Sequence, residues 1–240
     1  MGGGVDISLP NVSYCEDIKD VHYNPYNTVE FYVGEVTEPQ TVSIYTDGTN
    51  HVDVTVSEGN KWYSYLLPKD KGLYKIEGDS VKKVNVKADI NTYGNIIIPT
   101  STVEASFKGS DTSKAYNINK MFRNCSGLIS LDVSSFDTSN LDNLNLMFEN
   151  CAKLESLDLS SFNTSKVNDM TEMFYGCAAL IYLDLSGWDM SNETIFTNDM
   201  FKGCGALNEI KMIGCKQPTV DKIKAQLKTD GLSEDIVKTE

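Results

Sequence analysis

The sequence predicts an α+β chain in two parts: an all-β sandwich, then an α/β solenoid of repeated coils with a parallel sheet and short helices. Two observations carry this. First, MFRNCSGLISLDVSSF from Met121, MFENCAKLESLDLSSF from Met147 and MFYGCAALIYLDLSGW from Met173 are near-copies, with a degenerate fourth, MFKGCGALNEIKMIGC, from Met200. Their Met-Phe pairs fall 26, 26 and 27 residues apart, and Cys125, Cys151, Cys177 and Cys204 keep the same step. A fixed period of this size marks a stacked array. Second, the upstream third holds short runs of Val, Ile and Tyr between turn residues, the pattern of a sandwich.

Composition narrows the partners. The 240 residues are 40% hydrophobic and 23% charged, ordinary for a folded chain. A net charge of −13 without a basic stripe argues against nucleic acid and anionic membrane, because phosphate binding needs clustered Lys and Arg. No apolar run approaches the ~18 residues of a membrane helix. The start, MGGGVDISLP, has no basic or apolar signal region, so it reads as a mature chain behind an added Met, with residues 1–28 as an N-terminal extension.

Within that extension VDISL alternates like a strand and YCEDIKD could form a helical turn. Strands are then expected at 29–33, 41–45, 51–56, 62–67, 73–77 and 82–87, bounding a sandwich at 29–87. The turn signals between them are Glu38-Pro39, Asp47-Gly48, Glu58-Gly59-Asn60, Pro68 to Gly72 and Gly78-Asp79. Asp70-Lys71-Gly72-Leu73-Tyr74 has the spacing of a tyrosine corner. Trp62 and most of the tyrosines lie before residue 100, where aromatic cross-strand pairs stabilise sheets and could also stack on sugars. Two alternating runs, 84–86 and 103–107, lead into the array, and Asp111-Thr112-Ser113 repeats as Asp137-Thr138-Ser139. Coil-like structure therefore reaches back toward Val84, and the sandwich is expected to cap the first coil.

The array is expected at 88–217, with repeats near 102–120, 121–146, 147–172, 173–199 and 200–217. In one unit, Leu128, Leu131 and Val133 follow L-x-x-L-x-L, with Leu131 and Val133 inward and Ser130, Asp132 and Ser134 outward. Phe136, Phe162 and Trp188 return to the core. Ser139, like Ser165, is read as a helix N-cap, with Asp142 completing a capping box. Leu141, Leu144, Met147 and Phe148 have helical spacing, which predicts a helix of about ten residues. Asn124, Asn150, Gly176 and Gly203, one before each Cys, tolerate the left-handed backbone that ends a helix. The four cysteines form a column of buried side chains, while the pairing of Cys15 and Cys215 stays open. Residues 218–240 are read as a cap: an amphipathic helix with Val220, Ile223, Lys224 and Leu227, stopped at Gly231, then a strand at Ile236 and Val237.

Two resemblances follow from these motifs. The run 41–76 is similar to PKD-type Ig-like modules of bacterial surface proteins, without their W-G-D-G turn. MFxxCxxLxxLDLSSFxTSxVxDM, clearest at 147–170, resembles the 26-residue leucine-rich repeats of the BspA-like bacterial surface proteins over about residues 102–215. That resemblance implies an extracellular or cell-surface bacterial protein engaged in adhesion through contacts with host or other proteins, and it implies no catalytic residues. The last coil departs from it, with Lys211 at the recurrent Asp and an insertion near 193–195.

The residues themselves point the same way. His22 and His51 have no partner at nucleophile-like spacing, and no C-x-x-C occurs, so no catalytic, metal or cofactor site is assigned. Asp132, Asp158 and Asp184 repeat in step; hydrogen bonding to backbone or Ser/Thr is preferred over a calcium ladder. The expected binding surface is the strand face, Ser130, Asp132, Ser156, Asp158, Tyr182, Asp184, Glu209 and Lys211, with Tyr182 as anchor. The expected state is a monomer. Carbohydrate binding by the sandwich and a structural spacer are the alternatives.

Overall fold

The computed structural model describes residues 12–15 (backbone), 28–46, 50–67, 73, 75–87, 98–113, 115, 117–192 and 194–240. His22, the VDISL run and all but Leu73 of the expected tyrosine corner lie outside them, as does the side chain of Cys15.

Strands β1 (Val12–Cys15), β2 (Thr28–Val33), β3 (Gln40–Tyr45), β4 (His51–Val56), β5 (Lys61–Leu66), β6 (Lys75–Glu77) and β7 (Val81–Lys87) come first. Those from β2 on stand within two residues of the runs expected from alternation, because period-2 burial is what the alternation encodes. In β2, for instance, Val29, Phe31 and Val33 are buried while Glu30 and Tyr32 are partly exposed. The strands form two layers. β3 pairs with β4 and β6, all antiparallel. β2 pairs with β5 and β7, and β1 joins the free side of β5. The inward residues of both layers share one apolar core, in which Phe31 stacks on Tyr63 at 5.6 Å.

The first sheet does not stop at β7. β8 (Glu104–Ser106) pairs parallel with β7, and β9 (Ser130–Asp132) parallel with β8, giving the order β1-β5-β2-β7-β8-β9. A second parallel sheet holds β10 (Ser156–Asp158), β11 (Tyr182–Asp184), β12 (Glu209–Lys211) and β13 (Val237–Lys238). One backbone sheet thus crosses the boundary expected between residues 87 and 88.

The α/β class expected for the repeats is not what they adopt. The molecule is mostly β, and the single α-helix among the described residues, α1 (Gln217–Thr229), follows the last repeat. Where a helix was expected in each coil there are successive turns. The reason lies in the backbone. Lys120, Leu146, Glu172 and Asp199 take φ of 52–59°, in the left-handed region, inside the segment that should have been helical. Alternate amides then point out of the coil: Leu144, Leu146, Phe148 and Asn150 donate to the carbonyls of Asp169, Thr171, Met173 and Tyr175 at 2.7–3.0 Å. Between them Glu149 and Cys151 close three-residue turns onto Leu146 and Phe148. The groups a helix would satisfy within itself are satisfied by the next coil instead. Ser139 and Ser165 are correspondingly not N-caps; their amides donate to the side chains of Asp137 and Asn163 at 2.9 and 3.1 Å, forming Asx turns.

Side chains reinforce the step of one coil. Phe122, Phe148, Phe174 and Phe201 stack nearly parallel, with centroids 5.6–5.7 Å apart. Cys125, Cys151, Cys177 and Cys204 are fully buried, and burial pushes the thiols of Cys125 and Cys204 up to about 12. They do more than fill space: Cys151, Cys177 and Cys204 donate to the carbonyls of Phe122, Phe148 and Phe174, in each case in the preceding coil, at 3.0–3.2 Å. Buried Thr138 donates to the Asn163 carbonyl and accepts from the Asn163 amide, and Thr112 and Thr164 do the same one coil before and after. Trp188, replacing Phe in its column, donates its indole N–H to the Leu159 carbonyl at 3.0 Å. α1 begins with Pro218 in its first turn, and Gly231 follows its end at φ 83°.

Candidate functional site

The outward residues of the parallel strands stand in two rows set by register. One row runs Glu104–Ser130 across β8 and β9 and Ser156–Tyr182–Glu209 across β10, β11 and β12. The other runs Ser106–Asp132 and Asp158–Asp184–Lys211–Lys238. Ser130 and Asp132 therefore belong to the six-stranded sheet, and the remaining expected site residues to the four-stranded one.

Ser130, Ser156 and Asp158 are exposed, and Asp132, Tyr182, Glu209 and Lys211 are half-buried. Asp184 is different: it is only 5% exposed, so it cannot serve as a free contact. Lys211 donates to its Oδ2 at 2.8 Å, the Tyr182 hydroxyl donates to the same oxygen at 3.3 Å, and the Ser186 amide donates to Oδ1 at 2.9 Å. Burial pushes this carboxyl up, but Lys211 and Ser186 outweigh it and the net direction is down. Burial and the neighbouring carboxylate raise the Tyr182 phenol. Tyr182 is thus a positioned side chain, its hydroxyl tied down and its ring edge half-open.

All three recurrent aspartates make the same local bond. Asp132, Asp158 and Asp184 accept from the amides of Ser134, Ser160 and Ser186 at 2.9–3.0 Å. Each carboxylate ends its strand with an Asx turn, which explains its recurrence without a ligand. No group of His, Cys, Asp and Glu among the described residues is arranged to hold a metal ion. His51 lies 3.5 Å from Asp53 and 4.7 Å from the Tyr45 ring, on the three-stranded sheet away from these rows.

Several residues share the surface without having been assigned to it. Through β5, β2 and β7 the first row continues as Trp62–Tyr32–Lys83–Glu104. Trp62 and Tyr32 contact each other with centroids 5.7 Å apart and planes at 60°, and Lys83 pairs with Glu104 at 2.8 Å. Trp62 and Tyr32 therefore join Tyr182 as aromatic side chains of the outward rows. The signal that could have shown this was the alternation at 84–86 and 103–107: if those runs pair in parallel, the outward residues of both regions must align.

Residues 95–212 match a protein-family model described as "Mycoplasma protein of unknown function, DUF285", a span just under half of the chain. The similarity thus covers β8 to β12 and names no activity. It begins after β7, so the resemblance of the N-terminal region to Ig- and PKD-type modules draws no support from it. No curated protein and no solved structure matches the chain. Among the described residues no helix is long and apolar enough to cross a membrane.

Proposed function

We propose that the chain is a non-enzymatic interaction module of a bacterial cell surface, acting in adhesion or host interaction through the outward face of its sheets, with extracellular or host proteins as partners. The observation that supports this most is the alignment of outward residues from Trp62 through Tyr32, Lys83 and Glu104 to Ser130 in one hydrogen-bonded sheet. Such a row offers an extended, regularly spaced surface of the kind repeat arrays use for partners. The surface location extends the family similarity by way of the repeat motif.

The test is binding of labelled chain to epithelial cells. Ser130→Arg with Ser156→Arg places two bulky charges on exposed positions of the face, and binding should fall about tenfold or more. Glu234→Arg, on the 3₁₀ turn Glu234–Ile236, should leave it unchanged. Equal binding by both variants would overturn the assignment of this face.

A second reading is carbohydrate recognition at Tyr32 and Trp62, favoured by their paired, partly exposed rings. Because β7 is bonded to β8, it has to be tested on the whole chain: Trp62→Ala should abolish any signal on a glycan array.

A further inference from the structure

The four-stranded sheet carries a charge order that matches its own inverse. Across β10, β11, β12 and β13 the register partners are Asp158, Asp184, Lys211 and Lys238, two acids followed by two bases. The two inner groups satisfy each other at 2.8 Å. The two outer ones do not: neither Asp158 nor Lys238 has an ion-pair partner among the described residues, and both are exposed. Among the described residues the Asp158 carboxylate accepts the Ser160 amide and feels Lys211 at longer range, and Lys238 donates to the Asp235 carbonyl. At about 4.8 Å per strand the row is about 14 Å long, with an unpaired negative charge at one end and an unpaired positive charge at the other.

We propose that this sheet face also binds a second copy of the chain, two-fold symmetric, so that copies displayed together associate through it. A two-fold axis lying in the interface along the strands, between β11 and β12, reverses the order of the coils. It sets Asp158 against Lys238 of the second copy, Asp184 against Lys211, and Tyr182 against Glu209. An axis running across the strands would instead oppose like charges, so the charge order selects one of the two face-to-face arrangements. A two-fold interface must be self-complementary, and this row is. The net charge of −13 opposes association at long range, but beyond about 8 Å it is screened at physiological salt, leaving the local row to act. The contact is therefore weak and salt-sensitive, and display of many copies on a surface multiplies it. The inference rests on the reading of this face as a binding surface, and adds a second copy of the chain to its partners.

The experiment is a sedimentation-velocity concentration series on the whole chain at about 0.15 M salt, close to the ionic strength where long-range repulsion is screened. Wild type should dimerise reversibly. Asp158→Lys and Lys238→Glu should each weaken the dimer about tenfold or more, because each juxtaposes like charges. An equimolar mixture of the two variants, and the double variant alone, should recover affinity to within about threefold, since every contact is again between opposites. Asp158→Asn keeps the acceptor for Ser160 and should weaken the dimer less than Asp158→Lys, separating charge from turn geometry. Circular dichroism checks that each variant is folded. A monomeric wild type, or single variants that dimerise normally, or a mixture that stays monomeric, overturns the proposal. Cell binding that survives in a monomeric wild type would refute the homophilic partner and keep the face; loss of both would remove the face as well.

Discussion

The N-terminal layers and the repeats build the same outward surface by different rules. From β1 to β7 every strand has its own neighbours, at varied sequence separations, and the pairing is antiparallel. Its specificity lies in alternation: a misregistered β2 would turn Phe31 outward and Tyr32 inward. From β8 on, each contact recurs one coil later. There the specificity lies in columns, because the ring of Phe148, the thiol of Cys151 and the hydroxyl of Thr138 each fit only at a displacement of one full unit. Repetition means that one defect in the second region separates two halves of a stack.

The comparison can be broken most forcefully at Cys151. Cys151→Asp buries a carboxylate among apolar rings and should cost several kcal/mol, enough to unfold the array, whereas Cys151→Ser keeps a donor for the Phe122 carbonyl and should cost far less. The two tryptophans separate the regions, since Trp62 lies in β5 and Trp188 in the third full repeat. Because β7 is bonded to β8, urea titrations of Trp62→Phe and Trp188→Phe should each show one transition, and Cys151→Asp should expose both indoles. An intact Trp62 environment in that variant would show that the first region stands alone.

Next in size is the threonine ladder. Thr138→Val keeps shape but strands the amide and the carbonyl of Asn163, which should cost about 1–3 kcal/mol by urea denaturation. A loss near zero would mean that packing alone carries the column. Smaller again is a pair of opposite sign. Gly176→Ala forces a side chain at φ 72° and places its Cβ 2.4 Å from the Asn150 side-chain oxygen, so it should destabilise by about 1–2 kcal/mol. Glu172→Gly relieves a left-handed residue at φ 54° and should be neutral or stabilising by a few tenths of a kcal/mol, set against the entropy Gly loses.

The smallest effect is electrostatic. The Lys216 ammonium and the Ser191 amide hold Asp189 down at about 2. A carboxyl lowered on folding adds stability above its unfolded value, and that increment is lost as pH falls from about 4 toward 2. Lys216 is 68% exposed, so solvent screening limits this contribution to about a few tenths of a kcal/mol. Asp189→Asn should lower stability by that amount at neutral pH and converge on wild type as pH approaches 2, which flattens the acid limb of the stability profile.

What could be read from the sequence divides along the same line. Strand positions from β2 to β7 were legible because burial alternates residue by residue. The copies announced a stack, and the left-handed positions at Asn124, Asn150, Gly176 and Gly203 were legible because Asn and Gly suit them. The expected helix fails for a definite reason: Leu141, Leu144, Met147 and Phe148 turn inward on consecutive tight turns as readily as on a helix. The residue that decides between them, Leu146 at φ 59°, carries no compositional mark, and its equivalents are Lys120, Glu172 and Asp199. Burial of Asp184 was hidden for a related reason. It sits in the same Leu-Asp-x-Ser setting as Asp132 and Asp158, and what covers it is the Tyr182 hydroxyl and the Lys211 ammonium from the following strand. The continuity of the face through Trp62 and Tyr32 depended on pairing between β7 and β8, which no single stretch encodes.

The handing of alternate amides to the next coil has a consequence for how such a chain can change over generations. Each unit leaves behind it the same set of acceptors that it found in front. An in-frame duplication or loss of one unit therefore inserts or removes a strand without new joinery, and lengthens or shortens the outward rows by one position. Reach is inherited as a copy number, while the identity of each exposed residue remains free to drift.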